Sequence, residues 1–267
     1  MFESKRIIVT GGSSGAGKAL AECFLARGAG VVLLARNRDK LEAVRDELAA
    51  AADRSRIDVE SCDVADPEAV GQSFASLAEG GGPADMLVNS AGILTEGPFD
   101  EQPLEDYRAI MDINFFGTLH CSRAVLPQLA ARGGGRIVNI ASVAGLMGVF
   151  GYGPYCAAKH ALVGLSETMR VELAARRIRV HLVCPPEFDS PMVDELETHR
   201  SRENRAIVRQ LGVMSIDELV RETVRGIEKD RYLTVPGTRA RLAVRLASLF
   251  PGIGRWVMDQ SLARARR

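Results

Sequence analysis

The feature that most constrains the fold is a regular alternation of short apolar segments with longer amphipathic ones. Seven segments rich in β-branched and aliphatic residues are predicted strands: 6–10, 30–35, 57–62, 85–90, 136–141, 178–184 and 231–236. Several lack the polar alternation of a one-sided sheet, which indicates strands covered on both faces. Segments with helical periodicity lie between them, near 15–27, 38–52, 67–79, 104–131, 155–176 and 215–228. This order predicts an α/β protein with a parallel sheet, helices on both faces and right-handed crossovers.

The chain is predicted to form one domain. Its 267 residues suffice for one large domain or two small ones. The glycine-rich stretches 79–83 and 132–136 each lie between a predicted helix and a predicted strand, where a cap and a turn are expected. We therefore assign 1–237 to the domain and treat 238–267 as a basic amphipathic helical extension of it.

Composition excludes several classes of function. Lys plus Arg and Asp plus Glu each number 34, so no net field attracts nucleic acid. The five cysteines contain no CxxC pair and the four histidines have no metal-ligand spacing, which predicts no metal site and a reducing, cytoplasmic location. No secretory signal is visible at the start. The uncharged run 137–158 is interrupted by glycine, proline and polar residues, which favours a buried strand and loop over a membrane span.

A glycine turn follows the first predicted strand. The sequence VTGGSSGAGKALA places Gly11, Gly15 and Gly17 where the strand passes into a helix, with Ser13 and Ser14 between them. Glycine permits close approach of the backbone to a ligand, and a helix N-terminus offers free N–H groups to a pyrophosphate. The context predicts dinucleotide binding. The alternative is a Gly/Ser turn with no ligand.

Basic residues follow the second predicted strand. A carboxylate there would select NAD by binding the adenosine ribose, but Arg36 occupies the place and Lys40 follows one helical turn later. Cations suit a 2′-phosphate, so NADP(H) is the predicted cofactor. The alternative is a solvated helix start, although basic residues are mildly unfavourable at an N-terminus.

An aspartate and a valine follow the third predicted strand. Asp63 is placed to accept a hydrogen bond from the adenine amino group, with Val64 against the ring. Asp63 could instead cap the next helix, but Asp66, just before Pro67, suits that role better.

A lysine near a tyrosine indicates catalysis. The chain has 29 Arg and only 5 Lys, and Lys159 lies four residues after Tyr155, on the same helical face. An ammonium beside a phenol stabilises the phenolate and lowers the pKa of the tyrosine. Ser142, at the end of the fifth strand, is placed to hydrogen-bond a substrate carbonyl. The alternatives are a surface pair and a loop serine; Tyr152 is a rival phenol, but it lacks a lysine four residues on.

Five motifs together resemble the short-chain dehydrogenase/reductases. They are TGGSSGAG, VNSAG at 88–92, Asn114 in DINFFG, Ser142, and YCAAK at 155–159. The resemblance covers about 5–236 and implies a Rossmann-type, doubly wound, parallel seven-stranded sheet in the order 3-2-1-4-5-6-7. It also implies a homodimer or homotetramer through 104–131 and 155–176.

The resemblance also implies residue roles. Tyr155 would donate a proton, Ser142 would polarise the carbonyl, Lys159 would bind ribose and lower the pKa of the phenol, and Asn114 would hold a relay water. Further implied cofactor contacts are Asn89, Ala91, Gly92, Pro185 and Ser190.

The segment after the sixth strand departs from the family pattern. PPEFDSPM has Pro186 where glycine is usual and Ser190 where threonine is usual. Together with GGSSG, LLARNRDKL and GLMGVFGYGPY, it is similar to 3-ketodihydrosphingosine reductases, which implies NADPH-dependent reduction of a lipid-like ketone, 3-ketosphinganine. A 3-oxoacyl thioester, a steroid and a small ketone stay open as substrates. A non-catalytic nucleotide sensor is the alternative from another class.

The extension 238–267 carries seven arginines and one acid. Over 239–250, Leu242, Leu246 and Leu249 share a helical face with Phe250, and Trp256 follows a Pro/Gly break. This pattern predicts peripheral contact with an anionic membrane surface. The alternatives are packing on its own domain, packing on another subunit, and a solvated end.

Overall fold

The computed structural model describes residues 1–266. Seven parallel strands form one sheet in the order β3-β2-β1-β4-β5-β6-β7, which confirms the predicted topology. The strands are β1 (Arg6–Thr10), β2 (Gly30–Ala35), β3 (Ile57–Ser61), β4 (Met86–Asn89), β5 (Gly135–Ile140), β6 (Ile178–Val183) and β7 (Leu233–Thr234). The predicted edge strand over 231–236 is shorter than expected, because it pairs only with β6 and Pro236 cannot donate to a ladder.

Eleven α-helices occur in the described part of the chain. They are α1 (Gly15–Ala26), α2 (Arg38–Leu48), α3 (Pro67–Gly81), α4 (Leu104–Met111), α5 (Gly117–Ala131), α6 (Gly153–Leu173), α7 (Pro191–Glu197), α8 (Arg202–Leu211), α9 (Ile216–Glu228), α10 (Thr238–Leu249) and α11 (Pro251–Ala265). Helices α1, α2 and α9 cover one face of the sheet, and α3, α5 and α6 cover the other. Successive strand residues alternate between these two cores, since Ile7 and Val9 pack into the first and Ile8 into the second.

The helix predicted over 104–131 is interrupted. A π-helical turn, Asp112–Phe116, separates α4 from α5. Asn114 in that turn exchanges two hydrogen bonds with the backbone of Ile93, of 2.9 and 2.8 Å. Single π-turns inside helices often accompany functional sites. Here the wider turn holds the Asn114 amide against the loop that follows β4.

Two parts of the chain hold more helix than their sequences predicted. Helices α7 and α8 form within 187–215, where no element was predicted, and the extension forms α10 and, after the predicted Pro/Gly break, a second helix, α11. Pro251 begins α11, a position that tolerates proline but ends the helix before it. Helix α11 packs against α8 and α10. The alternative that the extension packs on its own domain is therefore true of α11.

The uncharged run 137–158 resolves into β5, a loop with a short 3-10 turn, and the start of α6. This outcome agrees with the strand-and-loop interpretation. Within residues 1–266, the length and hydropathy needed to cross a bilayer do not occur together in any helix.

Candidate active site

A cleft opens at the carboxyl ends of the central strands. Its empty space is about 1170 Å³. Ligands of open parallel sheets bind at this edge, where the strand order reverses, which in this sheet is between β1 and β4. Nine residues predicted from the sequence line the cleft: Gly11, Ser14, Gly15, Gly92, Ser142, Tyr155, Lys159, Pro185 and Ser190.

The turn between β1 and α1 forms one end of the cleft. Gly11 has a φ of +67°, and a Cβ there would come within 2.9 Å of the backbone nitrogen of Ala91. A Cβ on Gly17 would overlap the carbonyl oxygen of Gly11. Ser14 stands at the N-cap of α1 and lines the cleft, but its hydroxyl does not cap the helix. Ser13, Gly17 and Ala91 therefore shape the turn from outside the cleft lining.

Tyr155 and Lys159 lie in the first two turns of α6. The Lys159 Nζ is 5.5 Å from the centroid of the Tyr155 ring and donates a 3.0 Å hydrogen bond to the carbonyl oxygen of Ile140. Lys159 is buried and Tyr155 is half-buried. The structure thus brings the predicted pair together in the wall of the cleft.

Burial sets the protonation of this pair. Removal from water raises the pKa of Tyr155 above its ordinary value, and a hydrogen bond with Ser142 only partly opposes the rise. Burial also lowers the pKa of Lys159 to about 8. The expectation that Lys159 lowers the phenol pKa stays a prediction for the cofactor-bound protein. A tyrosine is protonated at neutral pH even without this rise. The raised pKa makes the phenol a weaker acid, so its transfer of a proton depends on stabilisation of the phenolate.

Two other hydroxyls line the cleft. The Ser142 Oγ, just after β5, donates to the carbonyl oxygen of Pro185 at 3.4 Å and accepts from the Ala144 N–H at 3.1 Å. The Tyr152 hydroxyl accepts a 3.4 Å hydrogen bond from the Arg200 Nη2. Both of these Ser142 bonds are therefore to backbone groups, and the donated one is long, whereas the Tyr152 hydroxyl is held by an arginine side chain.

Two predicted site residues turn their side chains into the protein. The Oδ1 and Nδ2 atoms of Asn114 each form a hydrogen bond with the backbone of Ile93, so the side chain fixes the loop after β4, and its role toward a relay water stays a prediction. The Asn89 Nδ2 donates to Ser122 at 3.0 Å and to Asn139 at 2.9 Å, inside the core. Neither asparagine lines the cleft. An asparagine motif cannot reveal this, because the sequence does not show which way an amide points.

The residues predicted to contact the adenosine part of the cofactor follow strands β2 and β3. Arg36 and Lys40 are exposed, beyond β2, and no acid within residues 1–266 lies within salt-bridge distance of either. Asp63 is half-buried and Val64 is buried, beyond β3. Asp66 rather than Asp63 caps α3, by accepting from two backbone N–H groups. The Asp63 side chain is thus not required as the cap.

A family model described as short chain dehydrogenase matches residues 5–201. The chain belongs to the short-chain dehydrogenase family.

Relatives of this short-chain dehydrogenase carry several functions. The chain is 33% identical to the 3-ketodihydrosphingosine reductase of Dictyostelium discoideum over 94% of its own length and 79% of the relative. It is 35% identical to the Mus musculus enzyme of the same name, over 82% of this chain and 67% of that one. The solved structure of a Burkholderia phymatum short-chain dehydrogenase/reductase in complex with NAD has a TM-score of 0.82 and 27% identity, covering 94% and 95% of the two chains.

The glycine turn of this short-chain dehydrogenase fits a dinucleotide. The space beside Gly11 is too small for a Cβ, so the backbone itself forms the floor of the turn. The first turn of α1 leaves N–H groups without helical partners, which favours an anion. Backbone N–H groups that a ligand can approach closely, beside a glycine, are what a pyrophosphate requires.

One wall of the cleft includes helices that the sequence did not predict. Its apolar residues in and just before α7 and α8 are Phe188, Met192, Val193, Ile207, Val208 and Leu211. Leu94, after β4, and Val149, before α6, are the other apolar residues of this wall. Glu187 also lines the cleft. The i, i+4 spacing of Ile207 and Leu211 was the available signal for an amphipathic α8.

Proposed function

We propose that the chain is an NADPH-dependent reductase of a ketone on a long-chain or lipid-like substrate, with 3-ketosphinganine as the candidate. The observation that carries this proposal is the meeting of Ser142, Tyr155 and Lys159 in a cleft whose remaining lining is largely apolar. An apolar wall suits a hydrocarbon chain. Similarity to enzymes named 3-ketodihydrosphingosine reductase supports the same substrate.

Each catalytic residue acts on the carbonyl oxygen or on the proton that it gains. The Tyr155 hydroxyl donates its proton to that oxygen, and Ser142 donates a hydrogen bond to it. The Lys159 ammonium lies near the phenol and stabilises the phenolate left behind. A bound nicotinamide cofactor supplies the hydride for the carbonyl carbon.

A substrate panel tests the proposal. Oxidation of NADPH, followed by absorbance, is measured with 3-ketosphinganine, a 3-oxoacyl thioester, a steroid ketone and a small ketone. We expect the highest kcat/KM for 3-ketosphinganine. A clear preference for another ketone of the panel would contradict the proposed substrate but would leave the proposed ketone reduction in place. Binding of NADPH without turnover of any carbonyl would instead favour a nucleotide-sensing protein.

The NADPH preference is expected to depend on Arg36. Replacing Arg36 with alanine should lower kcat/KM for NADPH by about 10- to 100-fold, because a charge-assisted contact with the 2′-phosphate is lost. The value for NADH should change little. Arg38→Ala is the matched control, since Arg38 forms an ion pair with Glu42 at 3.5 Å. An equal loss with both cofactors would contradict the phosphate assignment.

We further propose that α10 and α11 contact an anionic membrane surface. Leu246 and Leu249, on one side of α10, are 46% and 71% exposed, and Trp256 of α11 is 62% exposed. Arg245 and Arg255 are exposed in the same two helices. Exposed apolar and aromatic side chains combined with arginines suit an interface of lipid headgroups and acyl chains.

The position of this surface supports a role in lipid delivery. Helix α11 packs on α8, and α8 contributes Ile207, Val208 and Leu211 to the cleft wall. A chain seated on a bilayer through α10 and α11 would hold the apolar wall close to a membrane-dissolved substrate.

Co-sedimentation with phosphatidylserine-containing vesicles tests the surface. The double variant Leu249→Glu/Trp256→Glu should reduce the bound fraction at least tenfold, because two charges replace apolar contacts. Phe99→Glu is the control, since Phe99 is 83% exposed but lies far along the chain from α10. Equal sedimentation of wild type and the double variant would exclude the membrane role. If wild type and Phe99→Glu are dimers and the double variant is a monomer, the surface would instead bind a second copy of the chain.

A further inference from the structure

A buried ion pair lies behind the cleft wall. Glu187 follows Pro186 after β6, and its side chain is 9% exposed. Arg200, between α7 and α8, has a side chain only 1% exposed. The Arg200 Nη1 donates a 2.9 Å hydrogen bond to Glu187 Oε1, and Nη2 donates to Oε2. This two-point contact fixes the orientation of the carboxylate.

The pair presents its negative end to the cleft. Glu187 lines the cleft, whereas Arg200 does not. Among the described residues that line it, Glu187 is the only carboxylate and Lys159 is the only other charged side chain. A carboxylate has about four acceptor positions, and the guanidinium uses one on each oxygen. Acceptor positions therefore remain for a donor inside the cleft, and a cation there lies nearer to the carboxylate than to the guanidinium.

The carboxylate lies close to the reacting phenol. Burial is the main cause that raises the pKa of Tyr155, and the Glu187 charge adds a minor contribution in the same direction. Tyr152, whose ring packs edge-on against Tyr155 at a centroid distance of 5.9 Å, accepts from the same arginine that holds Glu187. Glu187 is thus connected to Tyr155 through Arg200 and Tyr152, and Glu187 and both tyrosines line the same cleft in which the carbonyl would bind.

We infer that Glu187 binds a protonated amine on the carbon next to the substrate carbonyl, so that the enzyme selects α-amino ketones over neutral ketones. This inference rests on the proposed reductase function. Glu187 is the one carboxylate among the described residues of a largely apolar lining, its acceptor positions on the cleft side are poorly solvated, and an ammonium supplies both a charge and N–H donors to them. Lys159 is not the ammonium partner of Glu187, because the Lys159 Nζ donates its hydrogen bond to the carbonyl oxygen of Ile140.

Three soluble ketones of matched size test the inference on the wild-type enzyme. They are 2-aminooctan-3-one, 2-hydroxyoctan-3-one and 2-methyloctan-3-one, each assayed with NADPH at a pH that keeps the amine protonated. We expect kcat/KM for the amino ketone to exceed that for the methyl ketone by about 10- to 100-fold, the range of a charge-assisted hydrogen bond. Equal values for the amino and hydroxy ketones would show selection of a neutral donor and would overturn the inference. Failure to reduce any of the three would count against the reductase function instead.

A variant locates the preference at one residue. Glu187→Gln keeps the shape of the side chain and one acceptor for Arg200, and should lower the amino-to-methyl ratio by about 10- to 100-fold. The affinity for octan-2-amine, measured by calorimetry, should fall by a similar factor. Glu197→Gln is the matched control, because Glu197 also pairs with Arg200, at 2.9 Å, but does not line the cleft. A ratio that falls equally in both variants, or in neither, would overturn the assignment. The wild-type comparison decides the matter if Glu187→Gln fails to fold.

Discussion

Replacing Tyr155 with phenylalanine is expected to lower ketone reduction by about 1000-fold, which corresponds to ~4 kcal/mol of barrier. Phenylalanine keeps the ring and its packing against Tyr152 but cannot donate a proton to the carbonyl oxygen. Because burial raises the pKa of Tyr155, transfer of its proton relies on stabilisation of the phenolate by the nearby Lys159 ammonium. The measurement is kcat/KM with NADPH and the preferred ketone, together with cofactor affinity by calorimetry.

The control for this prediction is the neighbouring phenol. Tyr152→Phe removes one long hydrogen bond with Arg200, so the loss of activity should be tenfold or less. NADPH affinity should be nearly unchanged in Tyr155→Phe. Retention of reductase activity by that variant would remove Tyr155 as the donor, and a larger loss in Tyr152→Phe would transfer the role.

Replacing Gly17 with alanine is expected to damage both stability and cofactor binding. The new methyl group would overlap the carbonyl oxygen of Gly11, which is backbone and cannot move without displacing the turn after β1. Overpacking of this kind costs about 2 kcal/mol. We expect a lower thermal midpoint and at least a tenfold weaker affinity for NADPH, measured by thermal unfolding and calorimetry.

Gly71→Ala provides the matched comparison. Gly71 lies in α3, and a Cβ there would meet nothing within 4 Å. Alanine favours a helix over glycine by up to about 1 kcal/mol, so this variant should be as stable as wild type or slightly more so. A Gly17→Ala protein that behaves like Gly71→Ala would refute the close approach of α1 to the turn.

The sequence predicted the sheet well because its signals are local. Strands β1 and β2 fall on the predicted residues, since a run such as GVVLLA is apolar throughout and flanked by glycine and polar residues. The spacing of Tyr155 and Lys159 was sufficient to place both in one cleft wall, because a helix repeats every 3.6 residues.

The features that the sequence did not predict depend on contacts between residues distant in sequence. The π-turn that carries Asn114 is held by the Ile93 backbone, and no local pattern encodes that pair. Asn89 was expected at the cofactor, but it joins a buried amide and hydroxyl network with Ser122 and Asn139. The rise of the Tyr155 pKa by burial could not be read from the sequence for the same reason, since burial is a property of the assembled fold.

The two sides of the cleft have different origins in the chain. The proton donor and the cofactor turn belong to the sheet and to helices packed directly on it, whereas the apolar wall comes largely from the segment α7–α8 between β6 and α9. Changes in that segment should therefore alter the substrate without altering the reaction. We expect grafting of 191–211 between relatives to exchange their substrate ranges while leaving the stereochemical course of reduction the same.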